Sequence, residues 1–192
     1  QALLGRLMGR AMARGGDCAD LFFRHRLATW LGREGGDGNR AYGQVDLGVG
    51  IRVVVGDQTG YAFTEDLTEA AMLKAADTAA GIASGSAGPV PEVFVRGQVA
   101  DHYAIELPWS EVGADRKIPL LTQLNTRCFE LDERMEKVSV WYADEESRIL
   151  VVRSDGPMYA DYQPMTRLGA SCTAQDGDER QSNGANLSAR VG

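Results

Sequence analysis

The run Gly48 to Leu67, GVGIRVVVGDQTGYAFTEDL, constrains the fold of this chain more than any other stretch. Ile51, Val53 and Val55 fall on one face at period two, with Arg52 and Val54 on the other. Gly56 and Asp57 supply turn chemistry, and Tyr61 and Phe63 resume the alternation on a return strand. Asp66, with Glu69 three residues on, is placed to cap a helix, because a carboxylate there accepts backbone N–H groups at the positive end of the helix dipole. A hairpin feeding a capped helix is therefore expected, and the rest of the chain has to cover its apolar face.

Leu3, Leu4, Leu7, Met8, Ala11 and Met12 recur at helical spacing, so residues 2–14 read as an amphipathic helix stopped by Gly15 and Gly16. Ala19 to Leu31 supplies strand material, and Gly32 to Gly43, with five glycines, reads as an exposed loop or a frayed hairpin. An Ala-rich helix follows from Leu67 to about Ala83. The Gly, Ser and Pro cluster from Ser84 to Pro91 reads as a linker. Leu121, Leu124, Cys128, Leu131 and Met135 draw another helical stripe; Pro119 is tolerable in a first turn, which starts that helix near Lys117. Four strands are expected next, over 137–143, 147–154, 159–175 and 179–187, with turns at Asp155-Gly156-Pro157 and Asp176-Gly177.

The fold class is thus α+β, with antiparallel or mixed sheets and amphipathic helices on one side. The expected divisions are an α+β unit over 1–85, a connection over 86–109 and a second α+β unit, helix then meander, over 110–192. Helix followed by meander occurs twice, which leaves open two related layers or one larger sheet. If the repeat is real, the strand orders of the two halves must agree.

Charge bounds the partners. The formal net charge is −7, and residues 86–192 carry 17 acidic against 11 basic side chains, so no basic face for a nucleic-acid duplex is expected. No apolar run reaches the length of a membrane span, and no signal peptide is visible. The cysteines, Cys18, Cys128 and Cys172, are odd in number, far apart and set among apolar residues, which reads as buried free thiols in a reducing cytoplasm.

Catalytic signatures are wanting. Gly48-Val49-Gly50 lacks the third glycine of a dinucleotide fingerprint, since position 53 is Val, and the order of strand and helix is reversed. His25 and His102 do not make zinc-ligand spacing. Asp144-Glu145-Glu146 and Asp176, Asp178 and Glu179 fall where hairpins are expected to turn, so they read as solvated tips rather than acid/base or calcium groups. No catalytic, cofactor-binding or metal-ligating residue is assigned. Arg52, Tyr61, Arg153 and Arg167 interrupt apolar strands with groups able to hold a carboxylate or a peptide backbone, and they are the candidates for a substrate cavity or an interface; the alternative is a solvated sheet face.

The segments ADLFF (Ala19 to Phe23), DLGVGIRVVVGDQTGYAFTEDLT (Asp46 to Thr68) and ILVVRSDGPMYADYQPMTRLGASCTAQDGDERQSNGA (Ile149 to Ala185) resemble the N-terminal region of the TldD/PmbA family, the modulators of DNA gyrase, and its TldD branch in particular. The Gly35 to Gly38 loop departs from the family's shorter acidic turn. The resemblance implies a cytoplasmic metalloprotease subunit that cleaves short unfolded peptides together with a homologous TldD/PmbA-type subunit, as a homo- or heterodimer. It implies zinc held by a His-Glu-x-x-x-His motif in a following C-terminal metal-binding domain that this chain lacks. On that reading no cofactor binds residues 1–192, which shape the cavity and the dimer. The alternative is a PmbA/TldE-like non-catalytic partner or a gyrase-modulator type regulator.

Overall fold

The computed structural model describes residues 1–35, 39–85, 90–103 and 105–190, the side chain of Asn39 excepted. In chain order the elements are α1 (Ala2–Ala11), β1 (Cys18–Glu34), β2 (Asn39–Val55), β3 (Gln58–Thr64), α2 (Glu69–Ile82), β4 (Val95–Arg96), a 3-10 turn (Trp109–Glu111), α3 (Ala114–Glu130), β5 (Met135–Arg153), β6 (Pro157–Asp176) and β7 (Glu179–Ala189). The strands form one sheet in the order β3-β2-β1-β5-β6-β4, with β7 also on β6. The antiparallel β2/β3 and β6/β7 pairs and the short parallel β4/β6 pair make it a mixed sheet. The fold is α+β. Each half is a helix plus a three-strand meander, β1-β2-β3 and β5-β6-β7, so the strand orders required of a repeat do agree.

The chain divides into two compact units that cut across the ranges 1–85 and 110–192. Unit 1 is 1–25, 46–101 and 148–162; unit 2 is 26–45, 102–147 and 163–192. The reason is strand length: β1, β2, β5 and β6 run for 17 to 20 residues, and each contributes to both units.

In unit 1 the core gathers Leu7, Met8 and Ala11 of α1, Leu21 of β1, Val49, Ile51 and Val53 of β2, and Met72, Ala76 and Ala79 of α2. Each fully buried Leu, Ile or Met contributes about 1.5–3 kcal/mol relative to exposure. The hairpin stands as expected, with Ile51 opposite Ala62 and Arg52 opposite Tyr61, and Gly56 takes a positive φ of 54° at its turn. The cap differs. Thr68 is the N-cap residue and its hydroxyl accepts the Ala71 N–H, while Asp66 accepts the Thr68 N–H one step earlier. The hydroxyl sits at the boundary itself, and Asp66 shapes the approach to it.

In unit 2 α3 lays Leu121 and Cys128 over Leu31 of β1 and Val138, Val140 and Tyr142 of β5. Helix α3 begins at Ala114, three residues before the expected start, so Pro119 lies inside the helix rather than in its first turn. Of the two readings of Gly32 to Gly43, the structure takes the hairpin, with β1 reaching Glu34 and β2 starting at Asn39, and its tip lies outside the described residues. One further expectation changes. The expected strands 137–143 and 147–154 are one strand, because the inward alternation of Val138, Val140 and Tyr142 continues through Asp144 and Glu146 without a break. Positions 86–89 of the expected linker also lie outside the described residues, and among the described residues of the 86–109 connection regular structure is limited to β4 and the start of the 3-10 turn.

Candidate functional site

The continuation of β5 places carboxylates where apolar side chains would be expected. Asp144 is 5% exposed and Glu146 3%. The first turns of α3 bring Lys117, itself 4% exposed, down onto them, and its Nζ lies 2.6 Å from Asp144 Oδ2. The ammonium also sits 5.6 Å from the ring centre of Trp109 and 5.7 Å from that of Tyr142, which meet edge to face. A buried cation here has one carboxylate and two negative ring faces around it.

Glu146 completes the arrangement by accepting the Ser110 backbone N–H at 2.7 Å and the Ser110 hydroxyl at 3.3 Å. Those bonds hold the Trp109–Glu111 turn, and through it the indole against Lys117. Burial pushes the Asp144 carboxyl above its ordinary range, against the opposing pull of Lys117, Tyr142 and Thr29. Burial, and then the Asp144 charge, push the Tyr142 phenol up as well. Asp144 also borders two cavities of about 280 and 270 Å³; the first is lined by Arg26, Thr29, Tyr42 and Arg167, the second by Thr29, Val45, Trp109 and Glu146. The carboxylate and the buried ammonium fix the first turns of α3 against β5.

The sequence candidates fall in two places. Arg52 and Arg153 line one hollow of unit 1, about 780 Å³, together with Asp17, Cys18, Asp20 and Asp155. Neither guanidinium is a lone charge: Arg52 pairs with Asp20 at 2.5 Å and Arg153 with Asp155 at 2.7 Å. Tyr61 stands opposite Arg52 in the hairpin, 55% exposed, with its hydroxyl over Gly50, and does not line that hollow. Arg167 belongs to unit 2, beside Asp144. The structure thus groups Arg52 with Arg153 in unit 1, while Arg167 lies in unit 2. Lys117 and Trp109 carry no role in the sequence reading, and the solvated tip expected at Asp144-Glu145-Glu146 is instead mid-strand in β5, with Asp144 and Glu146 buried. The available signal was Lys117 standing four residues before Leu121 on the apolar stripe of α3, and two acids in phase with Val138, Val140 and Tyr142.

Among the described residues no three His, Cys, Asp or Glu side chains converge to hold a metal ion. His25 is half-buried within β1 and His102 is exposed beside Tyr103. No described helix is long and apolar enough to cross a membrane.

The cysteines are free, but Cys18 is exposed rather than buried, because Ala19 and Leu21 take the inward positions of β1. Cys128 is buried, and its thiol is pushed up by burial and by the hydrogen bond with Cys172. Iodoacetamide should therefore alkylate Cys18 first and leave Cys128 intact until the chain unfolds. Peptide mapping that found Cys128 modified as fast as Cys18 would contradict this placement.

A family model described as "PmbA/TldA metallopeptidase domain 1" matches residues 19–83, and one described as "PmbA/TldA metallopeptidase central domain" matches residues 107–191. The Metalloprotease TldD homolog of Haemophilus influenzae is 28% identical over 179 residues, 92% of this chain and 37% of that protein. The Metalloprotease TldD homolog of Buchnera aphidicola from Acyrthosiphon pisum is 23% identical over 168 residues, 86% of this chain and 34% of that protein. The chain therefore spans about a third of the length of these relatives. Among solved structures, a modulator of DNA gyrase from Bacteroides thetaiotaomicron superposes with a TM-score of 0.77 at 19% identity, covering 99% of this chain and 45% of that one. TldE from Thermococcus kodakarensis gives 0.74 at 14% identity, covering 98% and 43%. At these identities the structures speak for the fold.

Proposed function

The chain belongs to the PmbA/TldD metallopeptidase family, and from that premise we propose that residues 1–192 are the non-catalytic part of a TldD-like zinc metalloprotease subunit acting on short unfolded peptides. In this reading they shape the peptide cavity and the contact with a homologous subunit, in a cytoplasmic dimer. One observation carries it: domain 1 and central-domain matches follow each other over 19–83 and 107–191, within a chain that aligns with TldD homologues over 92% of its length.

The described residues do not fit a zinc site, since no metal-capable cluster forms among them. Zinc is assigned instead to a His-Glu-x-x-x-His motif in a C-terminal domain of the full-length protein, and no chemical step is routed through this chain. Its own contribution is positioning: rigid strands, the Lys117 to Asp144 clamp, and cavities walled by arginines and aromatic rings.

The matched family models name PmbA as well, which leaves a second reading, in which the full-length protein is a PmbA-like partner that never carried the metal. The gene decides between them. A downstream His-Glu-x-x-x-His motif, with zinc-dependent hydrolysis of short peptides by the full-length protein, supports the protease; its absence supports the partner. Metal analysis of purified residues 1–192 should find no stoichiometric zinc, and one zinc per chain would overturn the assignment of the metal to the later domain.

A further inference from the structure

Helix α3 covers only one face of the unit 2 sheet, the face carrying Leu31, Val138, Val140, Tyr142, Leu168 and Ala170. Strand alternation puts the intervening residues on the opposite face: Trp30 and Gly32 of β1, Arg40 and Tyr42 of β2, Ser139 and Trp141 of β5, and Arg167 and Gly169 of β6. Two of these residues are tryptophans that lie down on glycines. A Cβ at Gly32 would come within 2.1 Å of the Trp30 ring, and one at Gly169 within 2.1 Å of the Trp141 ring. Tyr42 stacks on Trp30 with ring centres 5.2 Å apart and planes 15° apart. The result is a flat aromatic floor. A hollow of about 690 Å³ opens on it, lined by Trp30, Gly32, Glu34, Arg40, Ser139 and Trp141. That volume is in the range of small-ligand clefts, roughly 300–1,000 Å³.

The charge of this face departs from that of the chain. Among the described residues that β1, β2, β5 and β6 put on this face in unit 2, Arg26, Arg40, Lys137 and Arg167 stand against Glu34 and Glu145, a surplus of two positive charges in a chain of net charge −7. The carboxylates are already engaged: Glu34 pairs with Lys137 and also feels the charge of Arg40, and Glu145 pairs with Arg26 at 2.7 Å. Arg40 sits at the rim of the aromatic hollow. A guanidinium there offers a planar fork for a carboxylate, beside rings that bury an apolar side chain.

We propose that this open face binds an extended peptide segment, with a carboxylate on Arg40 and the neighbouring apolar or aromatic side chain between Trp30 and Trp141. The choice of a peptide as occupant rests on the function proposed above; the need for one carboxylate beside one apolar group comes from the face itself. A nucleic-acid strand fits worse, because Glu34 and Glu145 interleave with the cations and would repel a run of phosphates.

The chain contains three tryptophans, two of them on this face, so intrinsic fluorescence reports on occupancy. The probes are N-acetyl-Ala-Ala-Phe as the free acid, the same peptide as its amide, and an octathymidylate, each titrated into residues 1–192. The free acid should quench fluorescence saturably and bind about tenfold more tightly than the amide, the size expected of one charge-assisted contact. Arg40→Gln should remove that preference, while Arg127→Gln, exposed on α3, should keep it. Arg40 is exposed, and an unchanged urea midpoint would separate lost binding from lost folding. Equal binding of acid and amide, an Arg40→Gln variant that binds like the parent, or tighter binding of the oligonucleotide would each overturn the site. Peptide hydrolysis by the full-length protein without acid preference in the chain removes this proposal alone. Acid preference without hydrolysis removes the protease reading alone.

Discussion

Asp144→Ala should lower the unfolding free energy by about 3–5 kcal/mol, measured by urea denaturation, because it strands a buried ammonium. Lys117 is 4% exposed and cannot reach water without moving α3, and its 2.6 Å partner would be gone. The two rings at 5.6 and 5.7 Å remain, but each contributes only about 0.5–2 kcal/mol to a cation. Lys117→Met should cost less, since the stranded carboxyl can take up a proton. The pH dependence then has a definite sign. The folded carboxyl titrates above its unfolded range, so the native state holds more protons than the unfolded one, and stability is present at low pH and lost as pH rises through the folded value. Removing the cation raises that value further, so the deficit of Lys117→Met against the parent should grow from pH 5 to pH 8. The comparison has to be made between variants. Asp132, Glu34 and Glu69 have carboxyls lowered by Arg134, Lys137 and Arg6, and their contribution runs the other way, present above the ordinary carboxylate range and lost as pH falls. The double variant Lys117→Met/Asp144→Leu should recover much of the loss. A cost below about 1 kcal/mol for Asp144→Ala, or no coupling in the cycle, would rule out the clamp.

Gly60→Ala should be nearly as damaging, at about 3 kcal/mol, although it adds a single methyl group. The added Cβ would stand 2.0 Å from the Ala79 carbonyl oxygen and 3.0 Å from the Ala83 nitrogen, against 3.4–4 Å for an ordinary contact. Both are backbone atoms of the α2 end, so nothing flexible can give way and the helix must lift from β3. Gly81→Ala is the control. It lies in the same helix with only an Arg14 nitrogen at 3.7 Å, and removing a helical glycine there should be neutral or stabilising by about 0.5 kcal/mol. Equal effects at the two positions would show that helix propensity, and not the close approach of α2, governs this interface.

Those two sites mark the limits of what the residues disclosed. The Gly48 to Leu67 hairpin was legible because period two, a turn pair and returning aromatics all agree on it. The acidic run 144–146 was not, because three consecutive carboxylates look like a solvated tip unless the alternation is followed across them and a lysine on a distant helix is supplied as partner. The helix stripe is legible from Leu121 to Cys128, yet Pro119 points to too late a start, and Leu131 and Met135 keep the spacing past the helix end; Leu131 is 78% exposed and Met135 opens β5. Of the four residues singled out, Arg52 and Arg153 share a hollow, but only Asp155 lies near its arginine in the sequence, while Asp20 stands 32 positions from Arg52. Trp30, Arg40 and Trp141 were invisible as a group, since only the pairing of β1 with β2 and β5 brings them together.

The interleaving of the two units has a consequence for the order in which the chain can be made. During synthesis the first 101 residues emerge with both helices of unit 1 and its hairpin, but the 148–162 segment that completes the unit is still missing. Val152, a wholly buried member of that core, arrives only then. An apolar surface made early has to wait for a late strand, so a nascent chain of this length is exposed to aggregation and to chaperone binding until translation has passed residue 162. Neither unit can be excised as one contiguous piece, and a truncation ending near residue 110 should be recovered as insoluble protein rather than as a small domain.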